Sequence, residues 1–179
     1  MTKKIMNLTM LRFLIVIISV LFFGKVANAQ TFNGHTFLLI SVKNGKCLDA
    51  AGDDLNNGTK IQLWDRIGQT NQQWKFVDAG NGNYTIHCVA NGKCLDADPA
   101  TLNDNGTRLQ LWDGNGGKNQ QWSVEYSNGS FLIHSVTNNR CLDAANSGGI
   151  NNNGNPVLLW DCHGGDNQRW RLEDVNRTR

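Results

Sequence analysis

The chain has 179 residues, with 17 Lys and Arg against 15 Asp and Glu and a formal net charge of +2 at pH 7. The basic excess is confined to the first 29 residues, where Lys3, Lys4, Arg12 and Lys25 face no acidic partner; the other 150 residues carry 13 basic against 15 acidic groups. That balance offers no footprint for nucleic acid or an anionic membrane, and the length suits one domain with one core.

Residues 1–29 read as a signal peptide. Lys3, Lys4 and Arg12 form a basic start, Phe13 to Phe23 is a nearly unbroken apolar run, and Ala27-Asn28-Ala29 fits the small-residue cleavage pattern. The run is short for a membrane span, so a retained anchor is only the alternative. Cleavage after Ala29 leaves residues 30–179 as a secreted or periplasmic domain.

Short apolar segments separated by Gly/Asn turns follow. Phe37-Leu38-Leu39-Ile40-Ser41-Val42 leads through Asn44-Gly45 to Lys46-Cys47-Leu48-Asp49-Ala50. Tyr84-Thr85-Ile86-His87-Cys88-Val89 leads through Asn91-Gly92 to Lys93-Cys94-Leu95-Asp96-Ala97. Phe131-Leu132-Ile133-His134-Ser135-Val136 leads through Asn138-Asn139 to Arg140-Cys141-Leu142-Asp143-Ala144. Asn-Gly between β-prone runs signals a hairpin, because both turn residues tolerate positive φ. Further turns are marked by Asn57-Gly58, Asn105-Gly106 and Asn153-Gly154. No stretch keeps a helical period. The chain is expected to be all-β.

Three repeats are evident, at about 34–80, 81–127 and 128–175. Ile61-Gln62-Leu63-Trp64-Asp65 followed by Asn71-Gln72-Gln73-Trp74 recurs as Leu109 to Asp113 with Asn119-Gln120-Gln121-Trp122, and as Val157 to Asp161 with Asn167-Gln168-Arg169-Trp170. All six Trp residues belong to this pattern. Each copy supplies about four short strands and is too small to bury its own apolar face, so the three must share a core. Period-2 alternation puts Ile61 and Leu63 on one face and Gln62 and Trp64 on the other. Ile61, Leu63, Leu48 and Trp74, with their equivalents, are assigned to the interior.

The Cys-Leu-Asp-Ala, Gln-Leu-Trp and Asn-Gln-x-Trp motifs resemble the ricin B-chain type lectin family, a β-trefoil with one subdomain per repeat. The family's Gln-x-Trp motif is matched by Gln72-Gln73-Trp74, Gln120-Gln121-Trp122 and Gln168-Arg169-Trp170. A sugar offers apolar ring faces and directional hydroxyls, so its site needs an aromatic platform and a few fixed polar groups. By that resemblance Asp49, Asp96 and Asp143 accept hydroxyl bonds and Trp64, Trp112 and Trp160 stack on the ring. Asn71, Asn119 and Asn167 add amide contacts, while Gln72, Gln120 and Gln168 orient the Asp. Gln62 and Gln110 fill the polar position two before the stacking Trp; Leu158 stands there in the third repeat and removes one polar contact. The alternative is that these Trp and Asp are plain strand-surface residues, since a trefoil can keep its repeat without its sites.

The odd Cys count, five, leaves at least one thiol unpaired within the chain. Pairing Asp143 with Trp160 across an antiparallel hairpin also pairs Cys141 with Cys162, where the resembled family has a disulfide. It would close a loop of about 20 residues, worth about 3 kcal/mol in the loop-entropy picture. The same register sets Cys47 against Arg66 and Cys94 against Gly114. A two-residue turn at Asn91-Gly92 would set Val89 opposite Cys94 and make a Cys88–Cys94 bridge awkward.

His87 and His134 share the repeat position of Ile40 and read as half-buried strand residues. No hydrolase, zinc-protease or phosphate-loop motif is present, and the Asp/Asn-rich stretch from Asp98 to Gly106 lacks a calcium-loop spacing. The sequence leads to a non-enzymatic carbohydrate-binding module with up to three sites, no cofactor, no metal, and glycans or polysaccharide as partners. The resemblance implies galactose-type or xylan-type sugars. Alternatives are a targeting subunit for a separately encoded glycoside hydrolase or toxin, and a protein-binding trefoil.

Overall fold

The computed structural model describes residues 32–53, 55–102, 104–145 and 152–177; the expected signal peptide lies outside them. The first repeat contributes β1 (Thr36–Ser41), β2 (Cys47–Ala50), β3 (Ile61–Trp64) and β4 (Gln73–Gly80). The second contributes β5 (Asn83–Cys88), β6 (Cys94–Ala97), β7 (Thr107–Trp112) and β8 (Gln121–Ser127). The third contributes β9 (Ser130–Ser135), β10 (Cys141–Ala144), β11 (Val157–Trp160) and β12 (Trp170–Asp174).

Their pairing closes on itself. β1 pairs with β4 and β12, β4 with β5, β5 with β8, β8 with β9, and β9 with β12, all antiparallel. The ring is a barrel with no free edge among these strands. The hairpins β2–β3, β6–β7 and β10–β11 meet at one end through Lys60↔Gln110, Gln62↔Pro156 and Leu158↔Arg108. A closed barrel capped by three symmetry-related hairpins is a β-trefoil.

The interior follows the alternation in the sequence. Ile61, Leu63, Leu48, Leu95, Leu111, Leu142 and Leu159 are fully buried, as are Trp74, Trp122 and Trp170. The indole N–H groups of these three Trp donate to the carbonyls of Leu48, Leu95 and Leu142 at 3.0, 3.1 and 3.0 Å. Each core Trp thus ties its closing strand to the Cys-Leu-Asp-Ala strand of the same repeat. Phe32, ahead of the first repeat, lies 5.9, 5.6 and 5.5 Å from Phe37, Tyr84 and Phe131. Those three occupy the same position of successive repeats, so one ring serves all three.

The repeats also clasp one another in a cycle. Asn57 of the first donates to Asp113 Oδ2 of the second at 2.8 Å and accepts the Asp113 N–H at 3.0 Å. Asn105 of the second does the same to Asp161 of the third, at 2.9 and 2.8 Å. Asn153 of the third closes the cycle on Asp65 of the first, at 2.9 and 3.0 Å. Lys46, Lys93 and Arg140 complete the three clasps by pairing with Asp65, Asp113 and Asp161. The following glycine in each turn donates its N–H to the partner repeat, Gly58 to Leu111, Gly106 to Leu159 and Gly154 to Leu63.

Two registers differ from expectation. Cys141 pairs with Trp160 and Asp143 with Leu158, two residues from the alignment that set Asp143 against Trp160. The first two hairpins agree, pairing Asp49 with Gln62 and Asp96 with Gln110. The parity is right, so the same faces stay buried, but the loops between these strands are too long to set the alignment locally. His87, not Val89, lies opposite Cys94, because the Asn91-Gly92 turn is reached through Cys88, whose N–H and carbonyl bond Lys93 and Gly92. At the matching turn of the third repeat Asn139 takes the left-handed conformation, φ 59°, that Gly45 and Gly92 take elsewhere.

Cys141 and Cys162 are nevertheless bonded, with Cα atoms 5.1 Å apart. A diagonal pair in a regular ladder stands about 7–8 Å apart. Because β11 ends at Trp160, the chain is free to turn toward β10 at Cys162. Cys47, Cys88 and Cys94 are free and buried.

Candidate functional site

Each repeat carries one buried carboxylate and one exposed indole on the two strands of the same hairpin. Trp64, Trp112 and Trp160 end β3, β7 and β11 and are 37%, 39% and 43% exposed. Alternation would put Gln62 in the open beside Trp64, yet Gln62 is buried, because the hairpins meet on that face. The carboxylates do not stand outward either: Asp49, Asp96 and Asp143 are 2%, 1% and 5% exposed. Side-chain amides surround them, and that is how a charged group is kept at such depth.

In the first repeat Asp49 Oδ1 accepts from Gln62 Nε2 at 2.9 Å, and Oδ2 from Asn71 Nδ2 at 2.9 Å and Gln72 Nε2 at 3.0 Å. In the second, Asp96 Oδ1 accepts from Gln110 at 3.1 Å, and Oδ2 from Asn119 and Gln120, each at 2.8 Å. In the third, Asp143 Oδ2 accepts from Asn167 at 2.9 Å and Gln168 at 2.8 Å. Leu158, opposite Asp143, supplies no donor to Oδ1. Burial raises the three carboxyls above their ordinary value of 3.8, and the amide donors pull part of the way back.

Gln72, Gln120 and Gln168 are fully buried and hold the site together. Gln72 spends its NH2 on Asp49 and the Asp65 carbonyl, while its Oε1 accepts the Ile67 and Gly68 N–H groups. It therefore ties the Asp to the loop after the exposed Trp. Asn71 and Asn119 lie on short 3-10 turns, Thr70–Gln72 and Lys118–Gln120. Both amide hydrogens of Asn71 go to Asp49 and the Ala50 carbonyl, which leaves its Oδ1 as an acceptor. Asn119 repeats this with Asp96 and Ala97. The structure thus joins the expected Asp, Asn and Gln of each repeat, with the exposed Trp on the strand paired to that of the Asp.

Two sets of residues were missed by the sequence reading. The clasp acids Asp65, Asp113 and Asp161 directly follow the exposed Trp residues and anchor that end of the strand. Their recurrence with Asn57, Asn105 and Asn153 was the available signal. The second set is the position three after the exposed Trp, which is Ile67, Asn115 and His163. His163 Nδ1 accepts the Gly165 N–H at 3.2 Å, so the neutral ring carries its proton on Nε2, which faces Asp143 Oδ2 at 3.7 Å. His163 thus adds a polar group near the third carboxylate, on the side of Oδ2 rather than Oδ1. No periodicity could reveal His163, because the position differs in every repeat.

A cleft of about 150 Å³ opens between the hairpins, lined among others by Lys60, Ile61, Arg108, Leu109, Pro156 and Val157. It lies on the pseudo-threefold axis, away from the indole platforms. Three repeated hairpins on a closed barrel, each holding a buried, amide-bonded carboxylate and ending in an exposed Trp, define a lectin-class fold.

The ricin-type β-trefoil lectin domain family model matches residues 35–170, and the chain belongs to that family. Its domain is a carbohydrate-binding module. Among solved structures, the designed threefold-symmetric protein ThreeFoil is 30% identical with a TM-score of 0.74, over 78% of this chain and 99% of that one. An exo-β-1,3-galactanase from Clostridium thermocellum is 30% identical with a TM-score of 0.73, over 79% of this chain but 30% of the enzyme. A Macrolepiota procera ricin B-like lectin in complex with lactose is 28% identical with a TM-score of 0.68, over 81% of this chain and 99% of that one.

Proposed function

We propose that the chain is a secreted, non-enzymatic lectin that binds galactose-type or xylan-type sugars at up to three sites. The observation that carries this reading is that every repeat holds an amide-fixed carboxylate on one hairpin strand and ends the partner strand in an exposed Trp. The carboxylate accepts sugar hydroxyls, the Asn Oδ1 accepts another, and the indole covers an apolar ring face. The lactose complex and the galactanase among similar structures support the galactose-type choice. One such pocket is worth about −4 kcal/mol, a millimolar affinity. Three on one rigid body raise avidity for a polymer without new contacts.

A second reading has one observation behind it: this chain matches 30% of the galactanase's length. The module would then target a separately encoded hydrolase or toxin. A glycan array run beside a pull-down separates the readings. Sugar binding by the isolated chain supports the lectin, and retention of a protein without sugar binding would overturn it. Export is tested by intact mass, with a product starting at Gln30 expected and a retained leader decisive against it.

A further inference from the structure

His134 on β9 stands beside the Cys141–Cys162 bond in a way the sugar sites do not use. Its Nδ1 lies 3.6 Å from Cys141 Sγ and 3.4 Å from Cys162 Sγ. Its Nε2 lies 3.1 Å from Glu125 Oε2. A carboxylate only accepts, so the neutral ring keeps its proton on Nε2 and turns the Nδ1 lone pair toward the two sulfurs. Neither sulfur of a disulfide carries a hydrogen, so that lone pair meets no donor from them.

We propose that the reduced form of this protein binds a zinc-class cation through His134 Nδ1, Cys141 Sγ and Cys162 Sγ. Zn–S bonds of about 2.3 Å and Zn–N bonds of about 2.0–2.1 Å give a tetrahedral N···S edge of about 3.6 Å, close to the two separations seen with the disulfide closed, and an S···S edge of about 3.8 Å, to which the sulfurs part once the bond is broken. Glu125 on the far nitrogen is the carboxylate–histidine support that orients zinc-binding imidazoles. Cys162 is exposed, so the cation has a way in and a fourth position open to water.

Two equivalents of a low-molecular-weight thiol break the S–S bond. The pair of electrons and two protons pass to Cys141 and Cys162, and the reductant leaves as its own disulfide. Zinc then displaces both thiol protons to solvent. The cation would tie β10 to the segment after β11 as the disulfide does, keeping the third sugar site assembled. The second repeat supplies an internal contrast. Gly114 replaces the second sulfur beside Cys94, and His87 Nδ1 lies 3.0 Å from the Gly92 carbonyl, to which it donates.

The test is a cobalt titration of the full chain under anaerobic conditions, with zinc as competitor. A phosphine reductant opens the disulfide and leaves as its oxide, with water supplying oxygen and protons. The reduced chain should take one cobalt with a thiolate charge-transfer band, and the oxidised chain none. Cys162→Ser should abolish the band, and Glu125→Gln should weaken zinc binding by about 10-fold or more. If reduction alone unfolds the chain, zinc should restore the native Trp fluorescence. No band from the reduced protein, an undiminished band in Cys162→Ser, or failure of zinc to refold an unfolded reduced chain would overturn the proposal.

Discussion

Each hairpin carries two classes of carboxylate, on its two strands, and they respond to acid in opposite ways. Asp49, Asp96 and Asp143 are raised, chiefly by burial. Asp65 and Asp113 are lowered chiefly by hydrogen bonds from Lys46 and Lys93, and Asp161 by those from Asn105 and Arg140. An acid raised in the folded state is protonated more readily there, so falling pH does not loosen the fold through it; the site simply loses its charged acceptor, above pH 3.8. A lowered acid contributes stability that is present above its unfolded value and lost as pH falls through its folded one. Sugar binding should therefore fade on acidification while the fold still holds. Titration calorimetry beside circular dichroism across that range checks it, and simultaneous loss would contradict the assignment. The two Trp classes separate as cleanly. Trp74→Ala should lower stability by about 3–5 kcal/mol, whereas Trp64→Ala should leave the melting temperature unchanged and remove one site from a monosaccharide titration.

At the scale of elements, the hairpins carry the site and the clasps hold the hairpins. Asn57 and Asn105 begin Asn-Gly-Thr sequences that would read as glycan acceptors in a eukaryotic secretory route. Each spends its amide on the aspartate of the next repeat, so a glycan there would displace a clasp. Asn57→Ala should lower the melting temperature and weaken the site under Trp112 more than the one under Trp64, as read by site-resolved NMR titration. The third hairpin's disulfide has a vacant counterpart in the second. A Cβ built on Gly114 would lie 3.5 Å from Cys94 Sγ. Gly114→Cys should therefore form a second bridge, lowering the free-thiol count from three and adding up to about 3 kcal/mol. An unchanged melting temperature with four free thiols would show that the second hairpin does not approach as described.

Across the whole molecule, one residue outside the repeats closes what the repeats leave open. Phe32 touches Phe37, Tyr84 and Phe131, one ring from each repeat. Phe32→Ala should cost about 3–5 kcal/mol and lower all three sites together, measured by chemical denaturation and polymer binding. Loss at one site alone would argue against a shared plug. The all-β class, the threefold repeat and the alternation that buries Ile61, Leu63 and Trp74 were legible in the sequence, because each depends on neighbours within a few residues. The residues proposed for the sites were nominated on the same ground, since every repeat presents its Asp, Trp and Asn again. Their depth was not. Asp49 looks like a surface residue until Gln62, Asn71 and Gln72, distant along the chain, close around its oxygens. The two-residue shift in register, the cyclic clasps and the opening of His134 toward the disulfide sulfurs likewise belong to tertiary structure. Long loops leave the alignment of β10 and β11 open, and only packing among all three repeats selects one.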